Sequence, residues 1–122
     1  MTREDELKAI LRKARDELYG IEGAKKAKTN AKFVGKFYKY RNCYSCPKSP
    51  EDYWWYYVAV TNMANDGVLM GWSFQKDQYG KIDIGINEPH HVAEGNGYHK
   101  ITKREFYEAY GKTIEELQAR QG

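Results

Sequence analysis

The sequence predicts an α+β protein: an N-terminal helix, a four- or five-stranded antiparallel meander or small SH3-like or OB-like half-barrel, and one or two short C-terminal helices. Three observations carry this. A helical apolar stripe opens the chain, β-patterned runs joined by short turns fill its middle, and a capping sequence starts a second helical run near its end.

Arg3 to Tyr19 reads as a helix because Leu7, Ile10, Leu11, Ala14 and Leu18 recur at three- and four-residue steps. Thr2 with Asp5 is a near capping box, and Gly20 stands where a C′ glycine ends a helix. The stripe is narrow, so the helix is expected along the outside of a sheet. Ile21 to Lys32 sets Gly23, Thr29 and Asn30 among alanines and four lysines, and is expected to be a flexible connection.

Phe33 to Arg41 is the first expected strand, and Asn42 to Asp52, with Pro47 and Pro50, must be a loop. Tyr53-Trp54-Trp55-Tyr56-Tyr57-Val58-Ala59-Val60-Thr61 is aromatic or apolar on both alternating faces, which implies a central strand covered on both sides. Asn62 to Gly67 supplies turn chemistry, and Val68 to Gln75 follows as a strand. After a turn at Asp77 to Gly80, Lys81 to Asn87 alternates cleanly, with Ile82, Ile84 and Ile86 expected inward. Glu88 to Gly97 is expected to be a long loop, and Tyr98 to Ile101 a last short strand. Thr102 to Glu105 forms a capping box, with Ile101 and Phe106 as its hydrophobic staple. Gly111 is expected to end or kink that helix before a second cap at Thr113. Residues 1–122 are thus expected to form one domain: a helix in 1–20, a connection in 21–32, the sheet in 33–101 and helices in 102–120.

With 122 residues, 41% hydrophobic and 30% charged, the chain can bury a core without metal or disulfides. No apolar run is long enough to span a membrane and the first residues are charged, so a cytoplasmic protein with no membrane partner is expected. The net charge of +3 hides an asymmetry. Residues 1–50 hold thirteen Lys or Arg against six Asp or Glu, and residues 51–122 hold seven against eleven. The N-terminal part can therefore offer a basic face to an anionic partner.

Two constellations carry candidate chemistry. Cys43-Tyr44-Ser45-Cys46 admits a redox pair, a zinc site closed by His90 and His99 (or His91), or two reduced thiols that only pack. The prolines that follow and the lack of a βαβ pattern speak against redox catalysis, the histidine spacing is not that of a zinc finger, and packing is the plainest reading. No cofactor is required, zinc being the one candidate.

The second constellation is basic and aromatic. Ten of the eighteen aromatic residues fall between Phe33 and Tyr57, interleaved with Lys36, Lys39, Arg41 and Lys48. Rings that stack on bases beside cations that neutralise phosphates hold single-stranded nucleic acid. Lys36, Tyr38, Lys39, Tyr40, Arg41, Tyr44 and Trp54 (or Trp55) form the expected contact set, although alternation puts Lys39 and Arg41 on the opposite side of the strand from Tyr38 and Tyr40. Tyr and Trp are equally enriched in protein interfaces, so an inhibitor or adaptor that binds another protein is the alternative. No Gly-rich phosphate loop, nucleophile elbow or HExxH occurs, and a non-catalytic module is expected, a pairing of Glu88 or Glu94 with His90 being the one catalytic alternative.

Overall fold

A computed structural model describes residues 2–121. Helix α1 (Arg3–Asn30) leads through a 3₁₀ turn (Ala31–Phe33) into strands β1 (Phe37–Cys43), β2 (Tyr53–Met63), β3 (Leu69–Lys76), β4 (Ile82–His90) and β5 (Tyr98–Ile101), and helix α2 (Lys103–Gln121) follows. The strands form one antiparallel sheet in the order β4-β3-β2-β1-β5. β4 and β5 are its free edges, so the sheet is open and the expected closure toward a barrel is not seen.

β2 lies at the centre as its composition requires, but it is covered on both sides only in its middle. Val58, Ala59 and Val60 are buried, while Tyr53 and Trp55 keep over a third of their surface in solvent. The two covers explain this, because each lies over the far end of the strand. On one face α2 sets Phe106, fully buried, against Phe74, Ala59 and Ile101, with Phe37, Tyr57, Trp72 and Tyr110 around them. Val58, Val60, Tyr38 and Leu69 take the other face and pack with Phe33 from the 3₁₀ turn and Val92 from the β4–β5 loop. Gly71 in β3 has no substitute here: a Cβ would fall 1.9 Å from the Ala59 carbonyl oxygen, beside the β2–β3 irregularity at Val60/Asn62.

Several elements depart from expectation. α1 does not stop at Gly20, and the segment read as a flexible connection is helical to Asn30. A single interior glycine costs about 1 kcal/mol relative to alanine, and Ala24, Lys25, Lys26 and Ala27 propagate the helix beyond it. At its start the Asp5 amide donates to Thr2 Oγ1 at 3.2 Å and the Thr2 amide returns a bond to Asp5 Oδ2 at 3.3 Å. Nor does α1 lie along the sheet; none of its residues is buried.

Nor is the β4 alternation an inward face. Ile84 is exposed and Ile86 is 78% exposed. A register shift between Gly71 and Ser73 leaves Ile86 and Asn87 outside the β3 ladder, Asn87 with a φ of 53°, on an edge strand where Ile84 and Ile86 border an open recess with Tyr107 and Tyr110 of α2. Glu88, Pro89 and His90, expected in a loop, continue β4, and at Pro89 the edge position tolerates a missing amide. In α2, Gly111 is passed without a break and Thr113 starts no new cap, since its hydroxyl donates to the Ala109 carbonyl at 2.9 Å. The Glu105 amide donates to Thr102 Oγ1 at 3.0 Å as a cap requires, but the Glu105 carboxylate reaches across to Lys39, also at 3.0 Å.

Candidate nucleic-acid interface

Register decides which members of the basic aromatic segment share a surface. Arg41 stands opposite Trp55, Cys43 opposite Tyr53, and Lys39 between Tyr57 and His99. Directly opposed residues of an antiparallel pair point to the same face. Lys39, Arg41, Tyr53, Trp55 and His99 therefore lie together on the α2 side of the sheet, beyond the end where α2 starts.

The geometry there is specific. The Lys39 ammonium lies 4.5 Å from the centre of the Trp55 ring, and the Arg41 guanidinium carbon lies 4.5 Å from that of Tyr53. His99 meets the Trp55 ring edge-on at 6.2 Å. Alternate residues on a strand are about 7 Å apart, so Tyr53 and Trp55 offer two rings at about twice the rise of a stacked duplex strand.

The loop after β1 extends this surface. Arg41, Lys48, Ser49, Pro50 and Tyr53 border a recess of about 510 Å³. Its shape is fixed by Asp52, whose Oδ2 accepts the Lys48 amide at 2.7 Å and the Ser49 amide at 3.1 Å. The nearby Glu51 carboxyl is held below its ordinary range, first by a hydrogen bond from Ser49. Lys39 is also ion-paired with Glu105 at 3.0 Å.

The other expected contact residues fall elsewhere. Tyr38 is buried against Phe33 with ring centres 6.0 Å apart, and burial pushes its hydroxyl up, so it cannot face a ligand. Tyr40 shares that opposite face, half-buried, with its ring 5.1 Å from Tyr98. Trp54 is also there, its indole nitrogen donating to Gln75 Oε1 at 2.7 Å. Tyr44 lies tilted against Trp54, ring centres 4.8 Å apart, and its hydroxyl donates to Asp77 Oδ2 at 2.5 Å. That face also carries Asp83 and Glu88, charges that oppose a phosphate. Lys36 precedes β1 at the far end of the strand, bordering a separate recess with Lys100 and Lys103.

Period-two alternation already separated Lys39 and Arg41 from Tyr38 and Tyr40. Sequence reasoning missed Tyr53, and between Trp54 and Trp55 it settled on the ring of the opposite face. The odd-numbered members of β2 become recognisable once the cations of β1 are taken as the guide rather than its tyrosines.

The four expected zinc ligands are not brought together. Cys43 pairs with Tyr53 at the first residue of β2, whereas His90 pairs with Leu69, which in turn pairs with Met63 at the last. Ten residue steps of about 3.3 Å separate these ends by roughly 30 Å. His99 stands opposite Lys39, four residue steps or about 13 Å along β1 from Cys43. Both cysteines are free, Cys46 exposed with a φ of 60°. No cluster of three or more metal-ligating side chains occurs among the described residues.

His90 is buried instead at the foot of α1, bordering a recess of about 370 Å³ with Lys25, Lys26, Thr29 and Asn30, and its Nε2 has no partner among the described residues. Burial holds its pKa below the ordinary histidine value, against the opposing pull of Glu88. Glu94, the alternative carboxylate for a catalytic pair, is engaged by Lys32 at 2.5 Å and lowered chiefly by that contact.

No described helix is long and apolar enough to cross a membrane. Fold and site together define an α+β protein with an open five-stranded sheet and a cation-covered aromatic pair at one end of one face. Set against protein-family models, curated proteins and solved structures, the chain finds no match.

Proposed function

We propose that this protein is a non-catalytic, cytoplasmic binding module that takes single-stranded nucleic acid across Tyr53 and Trp55. The observation that carries the reading is the pairing of each exposed ring with its own cation, Lys39 over Trp55 and Arg41 over Tyr53, both at 4.5 Å. A base stacks on a ring from the side the cation leaves open, or on the guanidinium plane itself, while the same cation neutralises the adjoining phosphate. Lys48 at the neighbouring recess supplies a third positive charge. The opposite face, with its carboxylates and engaged rings, offers none of this.

The test is titration with a labelled single-stranded oligonucleotide at increasing salt. Three cations on phosphates predict a log–log salt slope of roughly −2, and Arg41→Ala should make it shallower by about 0.7. Trp55→Ala should weaken binding by about 1–3 kcal/mol while leaving the slope largely unchanged. Absent or salt-insensitive binding overturns the proposal. A second reading, a protein-interaction module of the adaptor or inhibitor kind, draws on one observation: the apolar stripe that α1 leaves uncovered.

A further inference from the structure

α1 carries its apolar stripe into solvent. Leu7, Leu11, Ala14, Leu18 and Ile21 recur at alternating steps of four and three, which is the a/d seam of a coiled coil, and all four large residues are exposed, Leu11 at 64%. The rest of the chain touches this helix from the other side. The Tyr19 hydroxyl donates to Asp66 at 3.4 Å, the Asn30 side-chain amide donates to the Gly67 carbonyl at 2.9 Å, and Gly23 lies close against the Asp66 backbone. At about 100° per residue, Gly23, Ala27 and Asn30 point about 150° away from the seam. The sheet stands behind the helix along Leu7 to Ile21, and only past the stripe, at Lys25 and Thr29, does the seam side border a recess shared with His90 and Val92.

Charge identifies that second helix. The first turn of α1 holds Glu4, Asp5 and Glu6, and its last two turns hold Lys25, Lys26 and Lys28. A parallel copy would bring like charges together at both ends, and an antiparallel copy brings opposite ones. With Leu11 opposite Ile21 and Ala14 opposite Leu18 of an antiparallel copy, symmetry gives four central apolar layers. The outer layers then set Leu7 beside Lys25 and Glu4 beside Lys28 at both ends, with Lys8 against Glu22 on the flank. A slip of one heptad keeps four apolar layers but sets Lys8 against Arg15 and Glu4 against Ile21. The favoured register has one electrostatic cost: Arg15 and Glu17 each meet their own counterpart at the two-fold axis, as exposed side chains free to turn outward. Glu4, paired within its own helix to Lys8 at 3.1 Å, would exchange that exposed contact for the one to Lys28.

We propose that α1 is a dimerisation element and that its partner is a second copy of this chain, antiparallel, in the register that sets Glu4 beside Lys28. The test is sedimentation equilibrium of the full chain across two decades of concentration. Wild-type protein should pass from monomer to dimer. Leu18→Asp should raise the dimer dissociation constant by more than roughly a hundredfold, because it leaves an unpaired charge in a desolvated layer. Its near-ultraviolet circular dichroism should be unchanged, since Leu18 touches no core residue. Glu4→Lys and Lys28→Glu should each weaken the dimer, and the double variant should regain affinity even though the helix dipole opposes both changes. A wild-type chain that stays monomeric throughout, a Leu18→Asp dimer as tight as wild type, or a double variant no tighter than either single one would each overturn the proposal.

Discussion

The two helices carry apolar stripes of similar quality, yet one is the roof of the protein and the other touches almost nothing. α2 buries Phe106 completely, with the rings of Phe37, Trp72, Phe74 and Tyr107 centred 4.9 to 5.2 Å from its own. α1 buries none of its residues. Length separates them first. A 28-residue helix is about 42 Å long, while five strands at about 4.8 Å spacing make a sheet only some 20 Å across. Attachment separates them next. α2 follows β5 with one intervening residue, the capping Thr102, and is tied down at both ends: Glu105 to Lys39 at 3.0 Å, and Arg120 Nη1 donating to the Gly80 carbonyl at 2.6 Å. α1 is held only from Tyr19 onward. An apolar stripe establishes that a helix has a face to cover; reach and connection decide what covers it.

The sharpest test of this contrast is truncation on each helix. Phe106→Ala should cost about 3–5 kcal/mol in denaturant unfolding, since it opens a cavity amid well-packed rings. Leu11→Ala, measured at a concentration where the chain is monomeric, should change stability by no more than about 0.5 kcal/mol. Comparable losses from the two would mean that α1 is covered by its own chain after all.

A smaller effect should come from Gly67, where α1 meets the sheet. Its φ is +85°, and a Cβ there would lie 2.5 Å from the Ala27 amide nitrogen. Gly67→Ala should therefore cost about 1–3 kcal/mol and do so locally. Amide hydrogen exchange in residues 21–30 should accelerate while the amides of β2 and β3 keep their protection. Uniform acceleration would show that the foot of α1 is part of one cooperative core.

The same contrast marks what the sequence could reveal. The central position of β2, the turn at Asp77 to Gly80, β5 and the Thr102 cap were all legible because each rests on local chemistry or strict alternation. The extent of α1 was not, because Gly20 and the lysine-rich segment after it weigh against a helix that propagation sustains. Ile84 and Ile86 misled for a different reason: alternation says that one face is apolar, and the register shift and edge position that leave it bare arise from pairing with β3. At the binding surface the cations of β1 were legible, while their partners Tyr53 and Trp55 depended on a cross-strand register that no local pattern specifies.

The smallest expected effect concerns the turn that anchors the end of α2. Asp77 accepts the Tyr44 hydroxyl at 2.5 Å and the backbone amides of Tyr79 and Lys81 at 2.9 Å each. The Tyr44 hydroxyl foremost, and then those amides, hold the Asp77 carboxyl below the ordinary aspartate range. A carboxyl lowered in the folded state binds fewer protons there than in the unfolded chain. Its contribution to stability is therefore complete above the ordinary aspartate range and is lost as pH falls through that range toward the lowered folded value. Tyr44→Phe removes the largest of these influences, so the Asp77 titration followed by carboxyl NMR should move upward toward the ordinary value. The acid loss of stability should become correspondingly shallower. Since Arg120 is bound to the Gly80 carbonyl of the same turn, acidification should loosen the last turn of α2 before it disturbs α1, whose foot rests on Asp66 and Gly67 instead. An Asp77 titration unmoved by the substitution would mean that the backbone amides alone hold the carboxylate, and that the turn anchoring α2 owes nothing to the Tyr44 ring across the sheet.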